Sequence, residues 1–459
     1  MKIIKSLIII IFIILCIITV GQADSYNNID EKDTEEAAAT PAASETDIAQ
    51  IFITADQSIS EEEYTAAKIV IADADGGSYE TITDSEARIK IRGNSTATLA
   101  KKPYNIKLST SQGILGMKAG KKWCLLANFM DTSLLRNKLA YDFAQNIGLD
   151  YSCETRYVDV WLNGEYQGNY LLTTPVETGE DRVDIDTSQK EFLLELEANR
   201  TEEDTTYIST ELYRFKLDAP ETLTQEQSDW LEQFLSEAEA AIKSRDYSRI
   251  KEYVDIDSFI DFYIVQELFK NMDVNTSSTR FYIKDHKIYA GPIWDFDLSS
   301  GNIGLFSFLP YYLSYNNYGM TGNASQNSYE GFWAFTGGAS QDYSLSWIGN
   351  LMHCSDFYEK LYERYQQLQE QIVNLYQDNT TGTNQMDLLL EEYGDSFARN
   401  NEIWPVELHR DSPLYRTNEK TFEESVSYLR SWLKNRNEWL LEALKEFETG
   451  NCNLFAERI

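Results

Sequence analysis

The chain has 459 residues, 74 acidic against 40 basic, for a net charge of −34 at neutral pH. A field of that sign repels nucleic acid and anionic membrane, so neither is an expected partner, and a polyanionic ligand such as ATP needs a locally basic site. The three histidines, His286, His353 and His409, and the absence of CxxC or HxxxH spacing argue against a His/Cys zinc centre.

The first residues, MKIIKSLIIIIFIILCIITVGQA, combine a short basic start, an apolar run from Leu7 to Val20 and small residues at Gly21 and Ala23. This predicts a secretory signal peptide over residues 1–23, with an uncleaved membrane anchor as the alternative. Cys16 follows Leu15 rather than a small residue, so no lipid is expected on it. Membrane contact is expected only if the segment stays uncleaved. Its loss removes two lysines, leaving 38 basic against 74 acidic residues, a net charge of −36. Cys124, Cys153, Cys354 and Cys452 then remain, too few and too scattered for a disulfide scaffold.

Residues 24–47 are polar and acidic and predict a disordered linker. Alternating strands follow in IFITA, KIVIAD, ARIKIRG and YNIKLS, with Gly76-Gly77 marking a turn, and KKWCLLANF adds another. TSLLRNKLAYDFAQNIG predicts a helix stopped by Gly148. YVDVWLNG and EYQGNYLLT form a hairpin turning at Asn163-Gly164, and EFLLELE and LYRFKLD read as two more strands of the same mostly antiparallel sheet. Helices are expected from Thr222 to Ser244, with Trp230, Phe234, Ala238 and Ile242 on one side, and from Ser258 to Lys270.

The stretch NMDVNTSSTRFYIKDHKIYAGPIWDFDLS is the most telling part of the chain. Asp273 ends the apolar helix FIDFYIVQELF, STRFYIK and KIYA form a hairpin around Asp285-His286, and Asp295 and Asp297 follow its second strand. Both acidic groups therefore belong at one end of the hairpin. Converging carboxylates suit a hard cation together with a base for a hydroxyl nucleophile, the requirement of phosphoryl transfer. The competing reading makes Asp273 a helix cap and the WDFD carboxylates solvated turn residues. Residues 303–346, rich in Gly, Asn, Ser, Tyr and Trp, are too long for an ordinary connection and are expected to form a partly ordered lid or substrate loop. Beyond Trp347, two amphipathic segments predict a C-terminal helical subdomain over residues 347–459.

Against the acidic background, eight Lys and Arg residues lie between Lys90 and Lys122. Arg92, Asn94 and Ser95 open a Gly-Asn-Ser-Thr turn whose amides and hydroxyls suit phosphate oxygens, although it is not a Walker loop. Lys102 and Lys107 stand five apart, so on a regular strand only one faces the ligand, and the choice stays open. Asn128, Asp131, Arg136 and Asn137 occupy a strand-to-helix passage as further candidates. Glu177, Glu195 and Glu197 are candidates for a lysine partner or a metal contact.

Taken together, RGNST…KKPYNIKL, WCLLANFMDTSLLRNKLAYDFA, VWLNGEYQGNYLL, FLLELE, NMD and GPIWDFDLSSGN resemble the CotH (spore-coat protein H) family of atypical protein kinases, over about Ile51 to Asn302. The C-terminal SWLKNRNEWL pattern is similar to that family too. The resemblance implies an α+β, divergent protein-kinase-like fold: a mostly antiparallel N-terminal sheet with one helix, then a helical lobe carrying the catalytic hairpin. The catalytic core would cover residues 48–302. It implies transfer of the ATP γ-phosphoryl group to Ser or Thr of secreted, surface or envelope proteins, with Mg²⁺ or Mn²⁺. By position, Asp273 matches the catalytic-loop Asp, Asp295 the metal-binding Asp, Asp297 a second metal or structural carboxylate, and Lys102 or Lys107 the phosphate-contacting lysine. One departure stands out. Ser278 occupies the place of the metal-binding Asn five residues after the catalytic Asp, with Asn275 as a substitute and a non-catalytic descendant as the consequence if neither serves. Two rival classes are a glycan-binding surface protein and a glycoside hydrolase using the same carboxylates.

Overall fold

The computed structural model describes residues 47–198, 205–304, 327–335, 343–409, 415–416 and 418–447. The expected signal segment, the expected linker up to residue 46, Cys452 and much of the 303–346 stretch lie outside the described residues. Asp47, the last linker residue, is described and pairs with Arg399 at 2.7 Å.

Seven strands close into a barrel: β1 (Gln50–Thr54), β2 (Thr65–Ala72), β3 (Ile82–Ile91), β4 (Tyr104–Gln112), β5 (Gly120–Leu126), β6 (Thr155–Leu162) and β7 (Glu165–Thr173). The order is β1-β2-β3-β4-β5-β7-β6, antiparallel throughout except where β1 runs parallel to β6 and completes the ring. Alternation sorts the side chains: Ile51, Ile69, Ile89, Ile106, Trp123 and Val160 fill the interior and are fully buried. The Asn163-Gly164 turn has φ of 51° and 87°, the left-handed pair that a tight hairpin with right-twisted strands requires. Closure abolishes the sheet edges that an open sheet would leave.

Between β5 and β6 lies helix α1 (Arg136–Ile147), ended by Gly148 at φ 88°. The expected helix began earlier, but Asp131 accepts from the Ser133 and Arg136 amides and folds residues 131–134 into a turn instead. The strands expected to extend the first sheet do not join it. Strands β8 (Phe192–Leu196), β9 (Tyr207–Ser209), β10 (Arg214–Ala219), β11 (Thr279–Lys284) and β12 (Lys287–Ala290) form a second sheet in the order β12-β11-β8-β10-β9. The expected hairpin β11–β12 is therefore the margin of a five-stranded sheet rather than an element carried by helices alone. β8 has Phe192, Leu193, Leu194 and Leu196 all buried, so it needs partners and cover on both sides, which the barrel wall does not offer.

Among the described residues the remaining helices are α2 (Gln225–Ser244), α3 (Tyr247–Tyr253), α4 (Ile256–Phe269), α5 (Trp347–Met352), α6 (Ser355–Gln367), α7 (Gln369–Asn374), α8 (Gln385–Ile403) and α9 (Phe422–Glu446). Thr224 and Gln227 form a reciprocal cap at the start of α2, and Asp255 caps α4. α4 is buried at every position from Phe259 to Phe269, as expected of an all-round apolar helix at the centre of a core. One large core joins α1, α4, the second sheet and the C-terminal helices, while the barrel interior is separate. Residues 332–335 of the presumed lid sit inside that large core, so this part of it is structural filling rather than a cover. Among the described residues no helix is long and apolar enough to cross a membrane.

Candidate active site

α4 ends at Lys270, whose left-handed φ of 48° turns the chain sharply into residues 271–278. That loop runs beside residues 296–302: the Met272 amide donates to Leu298 O at 3.2 Å, and the Ser300 amide donates to Phe269 O at 2.6 Å. Asp273 is half-buried in the loop, and its carbonyl accepts from the Thr276 and Ser277 amides at 2.9 and 3.1 Å. The acidic groups that flank the hairpin in sequence thus lie on adjoining loops, as the pattern predicted.

Asp295 has φ 65°, and its amide donates to the Tyr141 hydroxyl at 3.2 Å. Its carboxylate accepts from Ser278 Oγ at 3.3 Å. Asp297 is buried and accepts from Asn137 Nδ2. Burial raises the Asp295 pKa above the ordinary carboxylate range, with Arg92, Ser278 and Arg280 pulling against it. Burial likewise pushes Asp297 up to about 8, with the neighbouring charges of Asp295 and Asp131 adding to the effect. A carboxyl held up by burial and by the charge of its neighbour would be relieved by a bound cation.

Basic candidates divide sharply. Arg92 stacks on Trp294 at 5.3 Å and lowers the pKa of both aspartates, so it faces them. Lys102 turns back on its own loop, donating to Ala97 O at 2.8 Å. Lys107 is half-buried on the outer face of β4, directly opposite Arg88 on β3 and Lys122 on β5. Three cations abreast repel one another, and Lys122 offsets this by pairing with Glu177 at 3.1 Å. Asn94 and Ser95 are exposed on the turn that follows Gly93, where φ is 91° and a Cβ would fall 2.0 Å from Thr96 Oγ1. Lys101, one of the same basic run, is fully buried away from the aspartates, donating to Asn400 Oδ1 at 2.8 Å and lying over the Tyr170 ring.

Asn275 does not reach the aspartates. Its amide donates to Ala334 O at 2.8 Å, and its oxygen accepts from the Tyr213 hydroxyl at 3.2 Å, so Ser278 is the loop residue on Asp295. Glu195 pairs with Arg280 at 3.0 Å, which also binds Asp218 at 3.3 Å. Glu197 is buried, and its carbonyl accepts from Arg214. Arg280 and Tyr141 were missed by sequence reasoning: each looked like an ordinary strand or helix residue, and only the fold turns them toward Asp295.

A divalent cation fits Asp295 and Asp297, since Mg²⁺ is commonly held by one or two carboxylates with substrate phosphates completing its shell. No group of three or more His, Cys, Asp or Glu side chains able to hold a metal occurs among the described residues. A polar cavity of about 260 Å³, lined by Ser209, Glu211, Tyr213, Arg214 and Asn275 among others, adjoins the far side of the 271–278 loop and not the carboxylates. The described cysteines, Cys124, Cys153 and Cys354, are buried and unpaired as thiols.

No curated protein matches the chain. The family model described as CotH kinase protein matches residues 89–440, from β3 through the C-terminal helices to near the end of α9. That span covers the turn at Gly93, both aspartate loops and the helices that pack behind them, and the chain belongs to the CotH kinase family.

Proposed function

We propose that the protein is an exported, ATP-dependent Ser/Thr protein kinase using Mg²⁺ or Mn²⁺. The observation that carries this is Arg92 over Trp294, beside half-buried Asp295 and buried Asp297, on a segment hydrogen-bonded to the loop of Asp273. A divalent cation, when bound, would neutralise charge on the β- and γ-phosphates. Asp295 and Asp297 would hold that cation, and Ser278 would orient Asp295. Arg92, with Lys107 further along β4, would hold phosphate oxygens, and the turn of Asn94 and Ser95 would cover them. Asp273 would orient the acceptor hydroxyl and take its proton. The bond from acceptor oxygen to the γ-phosphorus forms as the β,γ-bridging bond breaks and ADP leaves. Positioning and charge neutralisation supply most of the catalysis in such a step.

The acceptor is a secreted or surface protein, consistent with the signal-like residues 1–23. The alternative, a non-catalytic surface or glycan-binding descendant, draws on Ser278 standing where the metal-binding Asn belongs. Incubating the purified protein with γ-labelled ATP and Mg²⁺ or Mn²⁺, beside Asp295→Ala, decides between them. Label transfer by the wild type alone supports the kinase. Equal transfer by both sinks the metal assignment, and transfer by neither favours the binding protein.

A further inference from the structure

We propose that Asn137, in the first turn of α1, is a positioning residue that sets the direction of the Asp297 carboxylate and the course of the backbone from Phe296 to Asn302. This rests on the carboxylate-pair reading of the site given above. Asn137 is 2% exposed and far in sequence from both acidic loops. Its Oδ1 accepts from the Phe296 amide at 2.8 Å, while Nδ2 donates to Asp297 Oδ1 and to Asn128 Oδ1, the latter at 3.1 Å. The orientation of the amide follows from its partners: an N–H must meet the oxygen, so the NH₂ must face the carboxylate.

The same passage grips the loop elsewhere. Arg136, paired with Asp131 at 2.5 Å, donates to Ser299 O at 3.1 Å and to Ser300 O at 3.3 Å. Asn302 Nδ2 bridges Met130 O and Asp297 O, at 2.8 Å each. The strand-to-helix passage therefore forms a rigid back wall for the acidic loop. Asn137 is the one point where that wall touches a carboxylate oxygen directly.

The chemistry explains why the contact is an amide. A Lys or Arg at this point would neutralise Asp297 and compete with a cation, whereas a neutral donor orients the carboxylate and leaves its charge available. With Oδ1 accepting from Asn137, Oδ2 would be the less encumbered oxygen for a cation.

The test compares wild type with Asn137→Ala, and with Asn137→Ser, whose small polar side chain suits a first helical turn, should the alanine variant fail to fold. In metal-free protein, the amides from Phe296 to Ser300 should exchange with solvent about tenfold faster in the variant, while those late in α1 keep their wild-type rates. The Mn²⁺ half-saturation, read by electron paramagnetic resonance without ATP, should rise about tenfold. Unchanged exchange across Phe296–Ser300 overturns the proposal, as does unchanged Mn²⁺ affinity in a protein that binds it. If the wild type binds no Mn²⁺, the kinase reading fails, and the exchange comparison still decides whether Asn137 positions the loop.

Discussion

Ser278 donates its hydroxyl to Asp295 across 3.3 Å, so the 271–278 loop reaches the acidic pair through a short side chain. A hydrogen bond to a charged group contributes roughly 1.5–3 kcal/mol. Ser278→Ala should therefore weaken Mn²⁺ binding by about tenfold, and Ser278→Asn should retain or improve it. Metal titrations of the two variants check this.

The cations should separate by substitution. Arg92→Ala removes the group facing both aspartates and should raise the ATP KM by about tenfold or more. Lys102→Met should leave the KM within about twofold, because Lys102 is spent on Ala97 O. Lys107→Met should fall between them. Steady-state kinetics with varied ATP rank the three, and an inverted order would refute the assignment.

Asp273→Asn should lower the rate of transfer by on the order of 10²–10⁴-fold, the usual worth of a positioned base, while the KM for ATP stays near wild type. Single-turnover measurements at saturating Mg²⁺ are the check.

Metal-free protein should lose stability as pH rises from about 4 to about 8. Asp297 has a folded-state pKa near 8, above its unfolded value, so the folded state binds more protons in that window. The contribution is present in full below the unfolded pKa and is lost through the folded one. Asp297→Asn should flatten this part of the profile, and saturating Mg²⁺ should oppose it, since a cation favours the ionised form. Thermal melts across pH with and without metal measure both.

Arg436 and Glu267 are fully buried and bonded at 2.6 Å, and Glu267 also accepts the Trp333 and Ala334 amides. Arg436→Met leaves an unpaired buried carboxylate and should cost about 3–5 kcal/mol. Chemical denaturation measures the cost, and proteolysis within residues 327–335 should rise with it.

Much of this arrangement was legible before any coordinates. The Asn163-Gly164 turn, the Gly148 stop and the apolar helix ahead of Asp273 are local signals, written in residues whose backbone preferences are strong. The partnership of β8 with β11 was not legible, because Leu194 faces Phe281 across more than eighty residues of chain and no local pattern encodes that choice. Nor was the role of Asn137: a polar residue in a first helical turn looks like a cap until the acidic loop is placed against it. Helix α8 falls within the expected C-terminal helical part, but nothing in its sequence shows that its Asn400 and Ser396 receive Lys101 and Asn169 from the barrel. Basicity marked the stretch that holds Arg92, but it could not tell Arg92 from Lys102, whose difference is one of direction alone.

The parallel pairing of β1 with β6 sets an order on assembly. Gln50 must find Asp159, 109 residues later, before the ring is complete, and a contact of that separation forms slowly. A chain threaded or synthesised N-terminus first therefore carries an unsatisfied, isoleucine-bearing strand until β6 has emerged. During that interval the second edge of QIFIT is open to mispairing with another copy, and the acidic stretch just upstream supplies repulsion between such copies.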